Sequence, residues 1–94
     1  WWMTLDATYM LTRSVRHSHY RVGDVQEAVR RTAQLCVERL MDPACRRDFF
    51  YAPLGVHTLT AATAILAEIQ QFLSAQEVVS GMPLRLVLDR RPFI

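Results

Sequence analysis

Lysine and asparagine are absent from the 94 residues, and all 11 basic side chains are arginine. Arginine and lysine normally share protein surfaces, so an arginine-only set has two readings. One is the codon bias of a GC-rich genome. The other is selection for bidentate contacts to phosphate or carboxylate. Cysteine is also scarce: Cys36 and Cys45 are too few for a disulfide framework, which points to a reducing, intracellular setting or a particle assembled there. The three glycines and four prolines form no linker and no phosphate-cradling loop; most fall at apparent element boundaries. Acidic residues and arginine are missing between Asp48 and Glu68, a run about as long as a membrane span. Pro53, Gly55, His57 and the threonines break that run into a loop and a helix start, so buried core is the expectation and no membrane span is expected. GxSxG, HExxH, Walker A, GxGxxG and DxDxDG patterns do not occur, which leaves no motif for an enzyme complete within the chain. No cofactor or metal is called for.

What is present is a mildly basic chain (net charge +2), 51% hydrophobic and 21% charged, in the range of a globular domain with one core. The clearest element is DVQEAVRRTAQLCVERLM, Asp24 to Met41. Val25, Val29, Ala33, Cys36 and Leu40 line one face, and Glu27, Arg31, Gln34 and Glu38 the other. Asp24 and Glu27 have the spacing of a capping box, and Glu27 and Arg31 that of an i,i+4 ion pair. Asp42-Pro43 ends this helix and starts a short one, Pro43 to about Tyr51. A second long helix is expected from Thr58 to Val79, closed by Gly81 and Pro83, with Ala62, Ile65, Leu66, Ile69, Phe72 and Leu73 as its apolar stripe. Its opposite side carries Ala61, Ala64, Glu68 and Gln71 and is small and nearly neutral, a face suited to close packing against something further.

PLRLVLD alternates, with Leu84, Leu86 and Leu88 on one side, and reads as a strand. Its partners within the chain would be Arg16 to Val22 or Trp1 to Leu5; the stretch Asp6 to Val15 is compatible with a helix through Leu5, Tyr9 and Thr12. The fold class expected is therefore mainly α, with two long amphipathic helices packed antiparallel, a short connecting helix and a C-terminal β-strand, an α+β arrangement being the alternative. The chain is read as a single small domain over 1–94. Trp1 where a methionine would be encoded suggests a fragment of a larger polypeptide or a processed subunit of an assembly.

Three candidate sites follow. The first is a protein-binding surface made by the strand residues Leu84, Leu86 and Leu88 and the neutral helix face of Ala61, Ala64 and Gln71, with other protein chains as partners. Apolar termini (Trp1, Trp2, Phe93, Ile94) add to the expectation that the chain does not stay monomeric. The second is a phosphate-binding set of Arg30, Arg46 and Arg47 near the helix junction, part of wider clusters interleaved with Tyr9, Tyr20 and Tyr51 that would track a nucleic-acid backbone. Nine acidic residues spread through the same segments weaken that field. The third is a reactive thiol at Cys45, in the first turn of the short helix beside Arg46 and Arg47. His17 and His19, on one side of an extended segment, lack the spacing to complete a zinc site with the two cysteines. The function favoured is a structural, assembly-type interaction module of a larger complex, a virion or phage component being one setting that fits. A nucleic-acid-backbone binder is the alternative, and a thiol-dependent enzyme or redox sensor the third reading.

Overall fold

The computed structural model describes residues 1–73, and they are mainly helical: α1 (Trp2–Ser18), α2 (Val22–Met41), α3 (Pro43–Tyr51) and α4 (Gly55–Leu73). No strand occurs among the described residues. The expected strand residues Leu84, Leu86 and Leu88 lie outside them, as does the stretch of the second long helix after Leu73.

The end contacts fix the helix directions. Trp2 at the start of α1 stacks on His57 at the start of α4, with ring centroids 4.4 Å apart, and Thr12 meets Glu68 further along both, so α1 and α4 run parallel. Arg39, near the end of α2, lies 4.5 Å over the Trp1 ring, so α2 runs against both. α4 is the central element. It contacts α1 most extensively, then α2 and α3. Ile65 and Ile69 are fully buried and cluster with Val29, Cys36 and Leu73, while Trp1, Leu5, Val25, Ala33, Leu66 and Phe72 pack against them. Each isoleucine removed from water contributes about 1.5–3 kcal/mol. Trp1 is thus drawn into the core, 6.1 Å from Phe49, and does not add to an exposed apolar terminus.

Several local expectations are corrected. Trp1 to Leu5 and Arg16 to Ser18 are helix rather than strand, because α1 spans Trp2–Ser18. His17 therefore lies in its last turn, and His19 is a left-handed C-cap (φ 56°). The face α1 buries is Thr8, Thr12 and Val15, with Leu5 half-buried beside them. The Thr8 hydroxyl is satisfied locally, donating to the Thr4 carbonyl at 2.8 Å. α2 begins at Val22, two residues before the expected cap. Asp24 then sits inside the first turn, where it accepts from Arg21 Nε at 2.7 Å and complements the helix dipole. Downstream, the Glu27–Arg31 pair forms at 3.2 Å. α3 starts as its sequence implies: Pro43 opens it, and the Asp42 side chain accepts from the Ala44 N–H at 3.0 Å.

The α3–α4 corner is tight. Leu54 takes a left-handed conformation (φ 61°), and Gly55 begins α4 directly, three residues earlier than Thr58. A Cβ at Gly55 would stand 2.4 Å from the Asp48 carbonyl oxygen and 2.5 Å from that of Phe49. The missing side chain is what lets α4 turn back against the end of α3.

Candidate functional site

The neutral face of α4 has an occupant within the chain. Ala61 and Glu68 are both 0% exposed, and α1 lies along this side. Ala61 is thereby unavailable to a partner; Ala64 is half-buried, and Gln71 is exposed but engaged in an interaction of its own. Glu68 is the polar centre of the α1–α4 contact. Thr12 Oγ1 donates to its Oε1, Arg16 Nη2 lies 3.7 Å from the same oxygen, and Arg13 Nη2 lies 3.6 Å from Oε2. The Arg13 guanidinium also covers the Tyr9 ring at 4.6 Å. Arg13 Nε and Glu68 Oε2 are buried without a hydrogen-bond partner among the described residues, so the cluster is held by charge proximity more than by aligned hydrogen bonds. Sequence reasoning placed Glu68 on a face without assigning it a role. The signal was there: it is the one charged side chain between Asp48 and Glu77, and α1 carries arginines at i and i+3.

At the other end of the bundle, Trp1, Arg39, Asp42, Cys45, Asp48 and Phe49 border an open cleft of about 420 Å³. Cys45 is half-buried in its wall. Cys36, on the buried stripe of α2, has its thiol pushed up from the ordinary value by burial, with Arg39 and the N-terminal amine pulling the other way. The arginines proposed for phosphate do not converge. Arg30 lies within α2, about 16 Å of helix before its end at Met41, whereas Arg46 and Arg47 are exposed on α3, Arg47 lying 6.0 Å over the Tyr51 ring. His17 and His19 are exposed, and no group of three or more metal-ligating side chains occurs among the described residues. No described helix is long and apolar enough to cross a membrane.

The side of α1 and α2 turned away from α4 carries a different pattern. Met3, Ala7, Leu11, Ser14 and Ser18 follow one another at three- or four-residue steps along α1, and Ala28, Thr32, Leu35 and Arg39 do so along α2. Between these rows lie two shallow depressions. One, of about 440 Å³, is bordered by Met3, Ala7, Thr32, Leu35 and Arg39. The other, of about 360 Å³, is bordered by Leu11, Ser14, Ser18, Asp24 and Ala28. Together they make a groove along the pair of helices. Met3 is 86% exposed, Met10 68% and Leu35 60%, all on this face or its rim. Single exposed apolar residues are ordinary, but a row of them on two adjacent helices is a surface of the kind that receives another helix. Sequence reasoning singled out neither row, because the N-terminal stretch did not declare itself a helix and Ala28, Thr32, Leu35 and Arg39 fall between the two faces read on α2. Compared with known protein families, curated proteins and solved structures, the chain finds no match in any of the three.

Proposed function

We propose that this chain is a structural, assembly-type interaction module whose working surface is the outer groove of α1 and α2. The observation that carries the reading is the row of exposed Met3, Met10, Leu11 and Leu35 beside small Ala7, Ser14 and Ala28, which offers apolar contact and close approach together. A protein chain is the ligand chemistry that suits it, since the groove is long, shallow and poor in convergent polar groups. The reading differs from the expectation drawn from sequence in location: the surface lies on α1 and α2, whereas Ala61 is spent inside the chain.

Methionine oxidation footprinting tests it. Met3, Met10 and Met41 are all largely exposed, and Met41 sits at the end of α2 outside the groove. In material from the native source, Met3 and Met10 are expected to oxidise several-fold more slowly than in the dilute isolated chain, with Met41 unchanged. Equal rates for Met3 and Met10 in the two preparations would remove the basis for the proposal.

A further inference from the structure

We propose that the outer face of α3, continued by the turn into α4, is a second docking surface, separate from the groove, and that its partner is an anionic lipid surface. The face repeats one step. Arg46 stands one helical turn before Phe50 and Arg47 one turn before Tyr51, so two cations are followed by two aromatic rings along one side of the helix. The Arg47 guanidinium lies 6.0 Å from the Tyr51 ring centroid, which places that pair on a common side. Leu54 and Val56 follow at the corner. Phe50, Tyr51, Leu54 and Val56 are each between 73% and 80% exposed, whereas Phe49 alone anchors α3 in the core.

The charge on this face has one sign. Arg46 and Arg47 are exposed and form no ion pair among the described residues, unlike Arg13, Arg16, Arg21 and Arg31. The nearby carboxylates of Asp42 and Asp48 border the cleft instead, and Asp42 is engaged there as the helix cap. A guanidinium lying over a ring keeps its N–H edge free for phosphate oxygens.

Shape decides among the partners that such chemistry admits. The four apolar side chains project, and none borders the cleft or either depression of the groove. A protein partner gains affinity from complementary packing, and this corner offers no hollow to receive its side chains. Single-stranded nucleic acid would stack on the two rings, but Leu54 and Val56 present no π face to a base. A lipid surface needs no matching shape. It takes arginine at the phosphates, aromatic rings at the headgroup level and aliphatic side chains at the acyl boundary. From Arg46 to Val56 the chain presents those groups in that order. Trp2, whose ring lies 4.4 Å from His57, adds an interfacial side chain at the same end of the bundle. With nine residues, α3 is about 14 Å long, enough to lie at the interface and too short to cross it.

Flotation with phospholipid vesicles, with circular dichroism to monitor folding, tests the proposal. The full chain is expected to float with phosphatidylcholine vesicles containing about 30% phosphatidylserine, and at least about tenfold less with phosphatidylcholine alone. Arg46→Gln and Arg47→Gln are each expected to weaken binding to the mixed vesicles about fivefold. Leu54→Asn suits the left-handed backbone at that position (φ 61°). Combined with Phe50→Ser, it is expected to weaken binding at least about tenfold with helix content unchanged. A chain held by charge alone would ignore that double variant, and one held by apolar contact alone would bind both vesicles equally. Either result, or no flotation at low salt, would overturn the proposal. Displacement from the vesicles by oligothymidylate, with Leu54→Asn without effect, would overturn it in favour of single-stranded nucleic acid.

Discussion

Taking the Glu68 carboxylate out of water costs several kcal/mol even after relaxation, and three side chains of α1 offset that cost: Thr12 by a hydrogen bond, Arg13 and Arg16 by charge. The two arginines are partly solvated, so screening reduces what each contributes. Glu68→Gln keeps an oxygen for Thr12 while removing the charge, and is expected to cost about 1–2 kcal/mol in urea denaturation. A double-mutant cycle with Arg13→Met should then show a coupling energy above about 0.5 kcal/mol; additivity of the two losses would mean that the pair, 3.6 Å apart, does not interact. Cys36 makes a second argument at this scale. Burial raises its thiol above 9.0, so the folded state holds the proton more tightly than the unfolded state does. The stability that follows is fully present below about pH 9 and is lost as pH rises through the folded value. The urea midpoint should therefore fall above about pH 9, and less steeply in Cys36→Val. At neutral pH the same burial makes Cys36 alkylate more slowly than the half-buried Cys45. Equal alkylation rates in the folded protein would contradict that placement.

Among the elements, α2 and α3 were legible because their signals are local. α2 shows an apolar stripe at helical period, and Asp42-Pro43 carries its own capping chemistry. α1 was only half legible for a physical reason: the face it buries is largely threonine, and threonine in a helix satisfies its hydroxyl on a carbonyl of the preceding turn, leaving a methyl to pack. Hydrophobic periodicity cannot register such a face. The start of α4 was misplaced because Gly55 reads as a turn residue. In the structure it is the first residue of the helix, pressed against the last carbonyls of α3. Gly55→Ala is expected to cost about 1–3 kcal/mol, since the added methyl meets backbone rather than a movable side chain. A urea midpoint unchanged by Gly55→Ala would show that the α3–α4 corner relaxes freely, contrary to this account.

For the whole molecule, what decides between a protein partner and a nucleic acid is where the arginine charge goes. Composition shows a basic chain, but it cannot show that Arg13 and Arg16 face a buried carboxylate, that Arg21 and Arg31 pair with Asp24 and Glu27, or that Arg39 and Arg47 lie over aromatic rings. The candidate groove was hidden for a related reason. It is shared between α1 and α2, and a surface made by two helices has no signature in either one. Each internally paired arginine has less charge to release toward phosphate, and Arg30, Arg46 and Arg47 are divided between two helices. A backbone binder needs several cations tracking one strand, and the affinity that follows falls with salt at a slope of about −0.9 per phosphate neutralised. The full chain is therefore expected to bind a short DNA duplex weakly, with a log–log salt slope shallower than about −2 in fluorescence anisotropy at 50–200 mM salt. If replacing Arg30, Arg46 and Arg47 by Gln leaves that slope unchanged, the three do not act together on phosphate. A steep slope in the parent chain that this triple replacement flattens would reverse the assignment and make the arginines, rather than the groove, the working surface.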